Sequence, residues 1–446
     1  MHGSLWKRLT ERVKIRDASI FRSKSIAFWP FADQGAVSLG NFLTQIILAR
    51  KLSQHDYGVF GLLFVVMYLL NNCHSPLVAY PLSVRGAVED LSGLRKLCTV
   101  SLVLTVALAI PCAIVLAGAA GVLKVLHLLP FVLLASVLWQ VQETMRRGLM
   151  SWLRHREAFW GDALSYMGQA VVIWLLASSG RLTLITVFET IAVTSAVSAL
   201  IQMKQVGLTR IRLSQVRKVS ADFWQVGRWA FGASATGMAV NAIFPWGLNF
   251  FQGPEAAASY QAASNVLGAS NPVVFGVRNL VVPATAKERK RSGIRGGAKP
   301  AIRFGFQGAL FVAPYYVALL IWPHLGLSLF YGHSSSYLTL TTPVRIFATA
   351  YFARYGFMAV SSFLNGIEES LSVLRADIVA AGALVFALPL AARYGVSGAS
   401  AGYLAVNLLR ALCAVWFAVG LVHRENRGKS GLMQRTLQIR SEGRSQ

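Results

Sequence analysis

The stretch "FWPFADQGAVSLGNFLTQIILARKLSQHDYGVFGLLF", residues 28–64, decides the fold class. Its first part is apolar and long enough to cross a bilayer as a helix, which takes about 20 residues. The same part contains Asp33, Gln34, Asn41 and Gln45. Such groups are costly in lipid unless they face protein or water. We therefore expect a membrane helix that turns one polar face away from the lipid.

Comparable windows recur along the whole chain. Hydrophobic residues make up 55% of the 446 residues and charged residues 14%, with a mean hydropathy of +0.52, which is typical of a polytopic membrane protein. The windows do not alternate as barrel strands do, so an all-α fold is expected. We expect twelve spans, near residues 27–49, 57–81, 97–119, 122–142, 158–178, 182–202, 226–251, 256–283, 304–325, 341–366, 371–392 and 396–421.

The basic residues indicate the topology. The net charge is +25, and with a cytoplasmic N-terminus 33 Lys and Arg fall in the segments on the cytoplasmic side against 5 in the alternate loops. This is the pattern of the positive-inside rule for an even number of spans with both termini in the cytoplasm. The basicity is thus topological, and nucleic acid is not expected as a partner. The four cysteines show no CxxC spacing, so neither a disulfide framework nor a metal site is indicated.

Two halves are expected. The polar stretch 203–222 separates six spans from six, giving an N-lobe of residues 26–202 and a C-lobe of residues 223–421, which we expect to be parallel repeats around a central cavity. Residues 1–25 and 422–446 are basic tails. The N-tail lacks the apolar core of a cleavable signal peptide. It is either an interfacial helix on the cytoplasmic leaflet or a tail that only fixes topology.

Polar residues at helical spacing mark the faces that we expect to line the cavity. In the first span they are Gln34, Ser38, Asn41 and Gln45. Later spans add Asn265, Tyr351 and Asn407. The open alternative is that these side chains only form hydrogen bonds between packed helices, at about 0.6 kcal/mol each. The tyrosines are suited to stacking on sugar rings, although such residues more often serve packing.

Arginines within the spans carry a stronger signal. Arg354 and Arg410 lie deep in predicted spans, and in lipid each would cost on the order of 3 kcal/mol or more. Arg278 is closer to a span end and could also reach the interface. The carboxylates within spans are Asp33 and Glu189, our candidates for coupling transport to a proton or sodium ion. Because cations outnumber them, the expected cavity suits an anionic group such as phosphate.

The opening stretch also carries a family resemblance. "DQGAVSLGNFLTQIILARKLSQHDYGVFGLL", residues 33–63, followed by "PLSV" at 81–84, resembles the first two spans of bacterial polysaccharide and oligosaccharide flippases of the multidrug/oligosaccharidyl-lipid/polysaccharide (MOP) exporter superfamily. The Gln-Gly, the Asn-Phe and the "LAR…L…YG" turn carry it. Peptidoglycan-precursor flippases are similar too but usually have two further spans.

The resemblance implies a bacterial inner-membrane flippase. Such a protein moves a polyprenyl-diphosphate-linked saccharide to the periplasmic face by alternating access, with membrane lipids and other polysaccharide assembly proteins as partners. One alternative is a multidrug or cation antiporter of the same superfamily, which would need carboxylates for its substrate. The other is a membrane-embedded polymerase or glycosyltransferase, for which the sequence offers no catalytic motif and no large outer loop. We expect a transporter that needs no resident cofactor.

Overall fold

The computed structural model describes residues 24–442, and every regular element in this range is helical. The expectation of an all-α polytopic membrane protein is confirmed. In chain order the α-helices are α1 (Lys24–Lys51), α2 (Gln54–His74), α3 (Tyr80–Gly86), α4 (Leu91–Ala107), α5 (Ala109–Val122), α6 (Leu129–Ser151), α7 (His155–Asp162), α8 (Gly168–Ser178), α9 (Leu184–Val206), α10 (Leu213–Gln252), α11 (Pro254–Gly268), α12 (Asn271–Ile321), α13 (Pro323–Tyr331), α14 (Thr341–Gly366), α15 (Ser370–Gly382) and α16 (Leu384–Glu442).

Each of the twelve predicted windows falls on one helix or on consecutive helices. By length and apolar composition alone, six helical stretches of the described chain could cross a membrane: Gln54–Gly86, Leu91–Val122, Leu126–Ser151, Leu184–Val206, Asn271–Ile321 and Leu384–Glu425. Two of the other windows, 256–283 and 371–392, begin in a short helix and continue into the next one. These short helices are α11, with 15 residues, and α15, with 13. The N-tail, which is one of the predicted segments, lies outside the described residues.

Local backbone features divide the longer stretches. Gly293 in α12 and Gly395 in α16 have φ values of 74° and 57°, a conformation that glycine adopts at little cost, and each separates two helices. Short π-helical segments connect α2 to α3 at Ser75–Ala79 and α7 to α8 at Ala163–Met167. Segments of this kind are frequent at functional sites.

The chain forms two compact units. The first contains the residues up to Ile47 together with Cys73–Phe231, and the second contains Leu48–Asn72 and the residues from Gly232 onward. The core of the first unit includes Leu82, Cys98, Met145 and Phe223, all buried. In the second unit the core is more aromatic. Its buried rings include Tyr57, Phe60, Phe244, Tyr316 and Phe347.

The helix α6 extends beyond its predicted window. The window 122–142 ends at Gln142, whereas α6 continues to Ser151. Residues 143–149 are buried along most of this extension, including Glu143 and Arg146. The charge pattern counted Arg146 among the residues of a cytoplasmic segment, whereas the structure places it within α6 with its guanidinium buried in the first unit.

Candidate functional site

A buried group of ionisable residues lies in the first unit. We call Asp33, Glu143, Arg146 and Asp162 the charge cluster. Nη2 of Arg146 is 2.6 Å from Oδ2 of Asp33, and its Nη1 is 3.0 Å from Oε2 of Glu143. Its Nε forms a further ion pair with Asp162. All four side chains are buried, so a single guanidinium holds three carboxylates from α1, α6 and α7.

Local geometry explains how these residues meet. Asp33, Gly40 and Thr44 share one face of α1. A Cβ on Gly40 would overlap the backbone of Tyr166 in the π-helical segment, and Gln169 donates to Thr44 over 3.3 Å. The α1 backbone therefore approaches the chain that follows Asp162. This close approach brings the carboxylate of Asp33 to the same guanidinium as Asp162.

Amide side chains complete the surroundings of Asp162. Gln142 and Gln202 donate to its Oδ1 over 3.3 and 3.2 Å. Arg147 binds the other oxygen of Glu143 over 2.6 Å and is partly exposed. When Arg147 is counted with the charge cluster, three carboxylates and two guanidinium groups leave one negative charge in excess if all are ionised. A single bound proton would neutralise the cluster together with Arg147.

A cavity of about 480 Å³ lies beside the charge cluster. Its lining includes Trp29, Arg154, His155, Arg156 and Trp160. The imidazole of His155 also lies within electrostatic range of Asp33 and Arg146. His155 is therefore the side chain that links the cavity to the buried charges.

The second unit contains an arginine among tyrosines. We call Arg354 with Tyr68, Tyr316, Tyr351 and Tyr403 the tyrosine cluster, because the guanidinium interacts electrostatically with all four phenols. The guanidinium carbon lies 5.0 Å from the centroid of the Tyr351 ring. The rings of Tyr351 and Tyr403 are 6.3 Å apart. This packing holds a half-buried cation against the face of Tyr351 on α14 and within electrostatic range of phenols from α2, α12 and α16.

Arg354 and Arg410 differ in their counter-charges. Among the described residues, Arg354 has no carboxylate oxygen within 4.0 Å, whereas Nε of Arg410 lies 2.9 Å from Oδ1 of Asp377. Arg410 is buried and also lies over the ring of Phe357. The charge of Arg410 is therefore compensated within the protein. The charge of Arg354 has no such counter-charge among the described residues.

The other predicted residues occupy varied positions. Asn407 is buried and donates to the carbonyl of Tyr403 in its own helix, while Asn265 donates to the hydroxyl of Tyr57 over 2.7 Å. Gln34 donates to Ser38 over 3.2 Å. Gln45 is buried and Asn41 is half-buried, whereas Arg278 and Glu189 are exposed. Of the predicted set, only Tyr351 and Arg354 come together in the tyrosine cluster.

Sequence reasoning missed two members of the charge cluster. Glu143 and Arg146 are four residues or fewer from the end of the predicted fourth span, in a run that reads as a basic cytoplasmic turn. The only available signal was the spacing of Glu143 and Arg146, which are three residues apart and so share one face of a helix. Asp162 lies near one end of the predicted span 158–178, where a carboxylate gives no signal of its own. Its partner became evident only from the tertiary structure.

No family model matches this chain, and no curated protein sequence matches it. Solved structures do. An inward-facing multidrug resistance MATE family transporter of the MOP superfamily has 14% identity and a TM-score of 0.74, with 88% of this chain and 96% of the other covered. An outward-facing structure of a multidrug resistance MATE family transporter of the MOP superfamily has 13% identity and a TM-score of 0.64. The similarity covers 89% of this chain and 94% of the other.

A third similar structure is a MOP superfamily transporter from Pyrococcus furiosus, for which a reverse polarity of the binding pocket suggests a different function. It has 14% identity and a TM-score of 0.62, covering 89% of this chain and 93% of the other. At these identities the similarity shows the fold. This chain has the fold of MATE transporters of the MOP superfamily, and the narrower assignment to polysaccharide flippases stays a prediction.

Proposed function

We propose that the protein is a flippase that moves a polyprenyl-diphosphate-linked oligosaccharide from the cytoplasmic to the periplasmic face by alternating access. One observation carries this proposal. Arg354 is a half-buried cation in a membrane fold, and among the described residues it has no carboxylate partner. An uncompensated guanidinium there is costly, so it is expected to meet an anionic substrate group.

The chemistry of the tyrosine cluster suits a diphosphate joined to a sugar. A guanidinium can bind two phosphate oxygens in parallel. Its planar fork makes it a better ligand for this purpose than a lysine. Tyr68 is the exposed member of the cluster and offers its ring and hydroxyl to a saccharide, whereas Tyr316, Tyr351 and Tyr403 are buried around the guanidinium. Arg354 is thus assigned to the diphosphate and the tyrosines to its orientation.

We assign the coupling ion, a proton, to the charge cluster. The excess of one carboxylate allows the cluster to alternate between a charged and a neutral form. His155 and the cavity beside it provide the route for exchange. A neutral cluster and a charged cluster differ in the conformation that they favour, which is the requirement for coupling an ion to a structural change.

The test uses a host deleted for this gene. The polyprenyl-diphosphate-linked saccharides are extracted, and the membrane face that they occupy is determined for cells that carry the wild type, Arg354→Gln or Arg345→Gln. Arg345 is the control, because it is an exposed arginine on the same helix and donates to the Leu320 carbonyl over 3.0 Å. We expect saccharides to accumulate on the cytoplasmic face in cells that carry Arg354→Gln. In cells that carry Arg345→Gln this accumulation should be relieved, as it is by the wild type. If both variants, at equal expression, relieved the accumulation equally, Arg354 would not be a substrate-binding residue.

A multidrug antiporter is the second candidate. Two of the similar structures are described as multidrug resistance transporters, which favours this function on the basis of fold. The buried carboxylates are a possible cation site, but all three contact Arg146. The same deletion host separates the two candidates. Unchanged saccharide distribution together with increased sensitivity to cationic drugs would support the antiporter and contradict the flippase.

A further inference from the structure

An apolar groove runs along the second unit between α12, α14 and α16. Its volume is about 720 Å³. Small residues open the groove: Ala301, Gly305 and Ala309 on α12, Gly356 and Ala359 on α14, and Ala418 on α16. A Cβ built on Gly356 would meet no atom within 4 Å, so the space there is unfilled.

The groove has the dimensions of a hydrocarbon chain. On α12 its lining extends from Ala298 to Ala309, which at 1.5 Å per residue is about 17 Å. This length is close to half of the hydrocarbon core, about 15 Å.

One end of the groove is basic. The α12 stripe that lines it continues to Arg295, and His423 completes the lining at the same end of α16. Lys299 and Arg424 are exposed beside them. Glu425 is the counter-charge in this region, and its carboxylate accepts a hydrogen bond from the backbone N–H of Arg295 over 3.1 Å. Among the described residues, Arg295, Lys299 and Arg424 thus outnumber Glu425 at this end, which the charge pattern predicts to be cytoplasmic.

We infer that this groove binds one acyl chain of an anionic phospholipid from the cytoplasmic leaflet, with Arg295 and Lys299 at its phosphate. The apolar lining takes the place of the lipid environment around the acyl chain, and the cations attract the head group. Tyr355, whose hydroxyl donates to the Gly305 carbonyl over 2.6 Å, stands in the contact between α12 and α14. The lipid would stabilise this part of the second unit whatever substrate the protein carries, so the inference does not depend on the proposed function.

The experiment measures lipid binding to the purified full chain. Phosphatidylglycerol and, separately, phosphatidylcholine are titrated into detergent-solubilised protein, and native mass spectrometry counts the lipids bound. Gly356→Leu fills the groove. Its control is Gly420→Leu, since Gly420 lies on α16 outside the lining and its Cβ would also meet no atom within 4 Å. Thermal unfolding checks that both variants are folded.

A charge variant tests the head-group site. The double variant Arg295→Gln/Lys299→Gln removes both cations, and Arg217→Gln/Lys218→Gln removes two exposed cations elsewhere on α10. We expect phosphatidylglycerol to bind at least tenfold more tightly than phosphatidylcholine. Gly356→Leu should abolish this binding. The Arg295/Lys299 variant should weaken it by about fivefold per cation, while both controls should leave it unchanged.

Three outcomes would overturn the inference. The first is equal binding of phosphatidylglycerol to the wild type and to Gly356→Leu. The second is a dimer that Gly356→Leu dissociates, which would make the groove a helix interface. The third is retention of polyprenyl phosphate in place of phosphatidylglycerol, which would assign the groove to the substrate tail. Loss of saccharide transport plays no part in this assay, so a failure here is distinct from a failure of the proposed flippase.

Discussion

The guanidinium carbon of Arg354 lies 5.0 Å from the centroid of the Tyr351 ring, one helical turn earlier on α14. The hydroxyl of Tyr351 is 3.4 Å from the Ser264 carbonyl, and its ring also packs near Tyr316 and Tyr403. The ring therefore holds the cation in place through its face. The hydroxyl of Tyr351 also interacts with the guanidinium and makes a long hydrogen bond to the Ser264 carbonyl.

This arrangement predicts different effects for two substitutions of Tyr351. Tyr351→Phe keeps the ring, so binding of a diphosphate lipid to the purified protein should remain within about threefold. Tyr351→Ala removes a cation–π contact of about 0.5–2 kcal/mol, which corresponds to a loss of about twofold to thirtyfold. Titration with a fluorescent polyprenyl diphosphate measures both. Equal losses for Phe and Ala would mean that the hydroxyl, and not the ring, positions Arg354.

The ion pair between Arg410 and Asp377 predicts an effect on stability. Arg410→Gln leaves Asp377 in a poorly hydrated position without its partner, and breaking a buried pair costs about 3–5 kcal/mol. Replacing both residues by leucine removes both charges and should cost much less. Thermal unfolding of Arg410→Leu, Asp377→Leu and the double variant forms a cycle that isolates the pair. Additive losses would show that the two side chains do not stabilise each other.

The class of fold could be predicted from the sequence, because apolar windows and the charges of loops are signals that extend over many residues. It was also sufficient to find Arg354 and Arg410, since a cation deep in a span is visible without a structure. It did not distinguish their roles. The difference depends on Asp377, which lies on α15, 33 residues before Arg410. Pairing of this kind arises from helix packing, and no local spacing encodes it.

The charge cluster shows the same limit. Asp33 was selected as a lone carboxylate in an apolar window, and its partner Arg146 is 113 residues away. The window ended before Arg146 because basic residues lower the local hydropathy. A helix that carries its charges inward is indistinguishable, by hydropathy, from a helix that has ended.

Within the charge cluster, removal of the cation should be far more damaging than removal of one carboxylate. Arg146→Gln would leave three carboxylates together in the interior, with only Arg147 near Glu143. Asp33→Asn keeps Arg146 with Glu143 and Asp162, and the asparagine still fills the site. We expect Arg146→Gln to give little folded protein and Asp33→Asn to fold like the wild type, as measured by membrane yield and thermal unfolding. Comparable stability of the two variants would contradict the buried ion pairs.

If Asp33→Asn folds, it also tests coupling. Asparagine cannot exchange a proton, so transport by this variant should lose its dependence on a pH gradient in reconstituted vesicles. Glu189→Gln is the control, because Glu189 is an exposed carboxylate of the same unit. A pH-gradient dependence that survives in Asp33→Asn and disappears in Glu189→Gln would move the coupling site to α9.

The "YG" of the opening stretch has a packing role in the second unit. Tyr57 accepts the hydrogen bond from Asn265, and a Cβ on Gly58 would overlap the carbonyl of Pro254 at the start of α11. Gly58→Ala must therefore separate α2 from α11, and we expect a lower thermal midpoint and lower transport. Gly61→Ala is the control one turn later on α2, since its Cβ would lie 3.7 Å from the side chain of Gln261, an ordinary contact. Because both changes add one methyl group to the same helix, equal stability of the two variants would show that α2 and α11 do not approach as closely at Gly58 as the structure indicates.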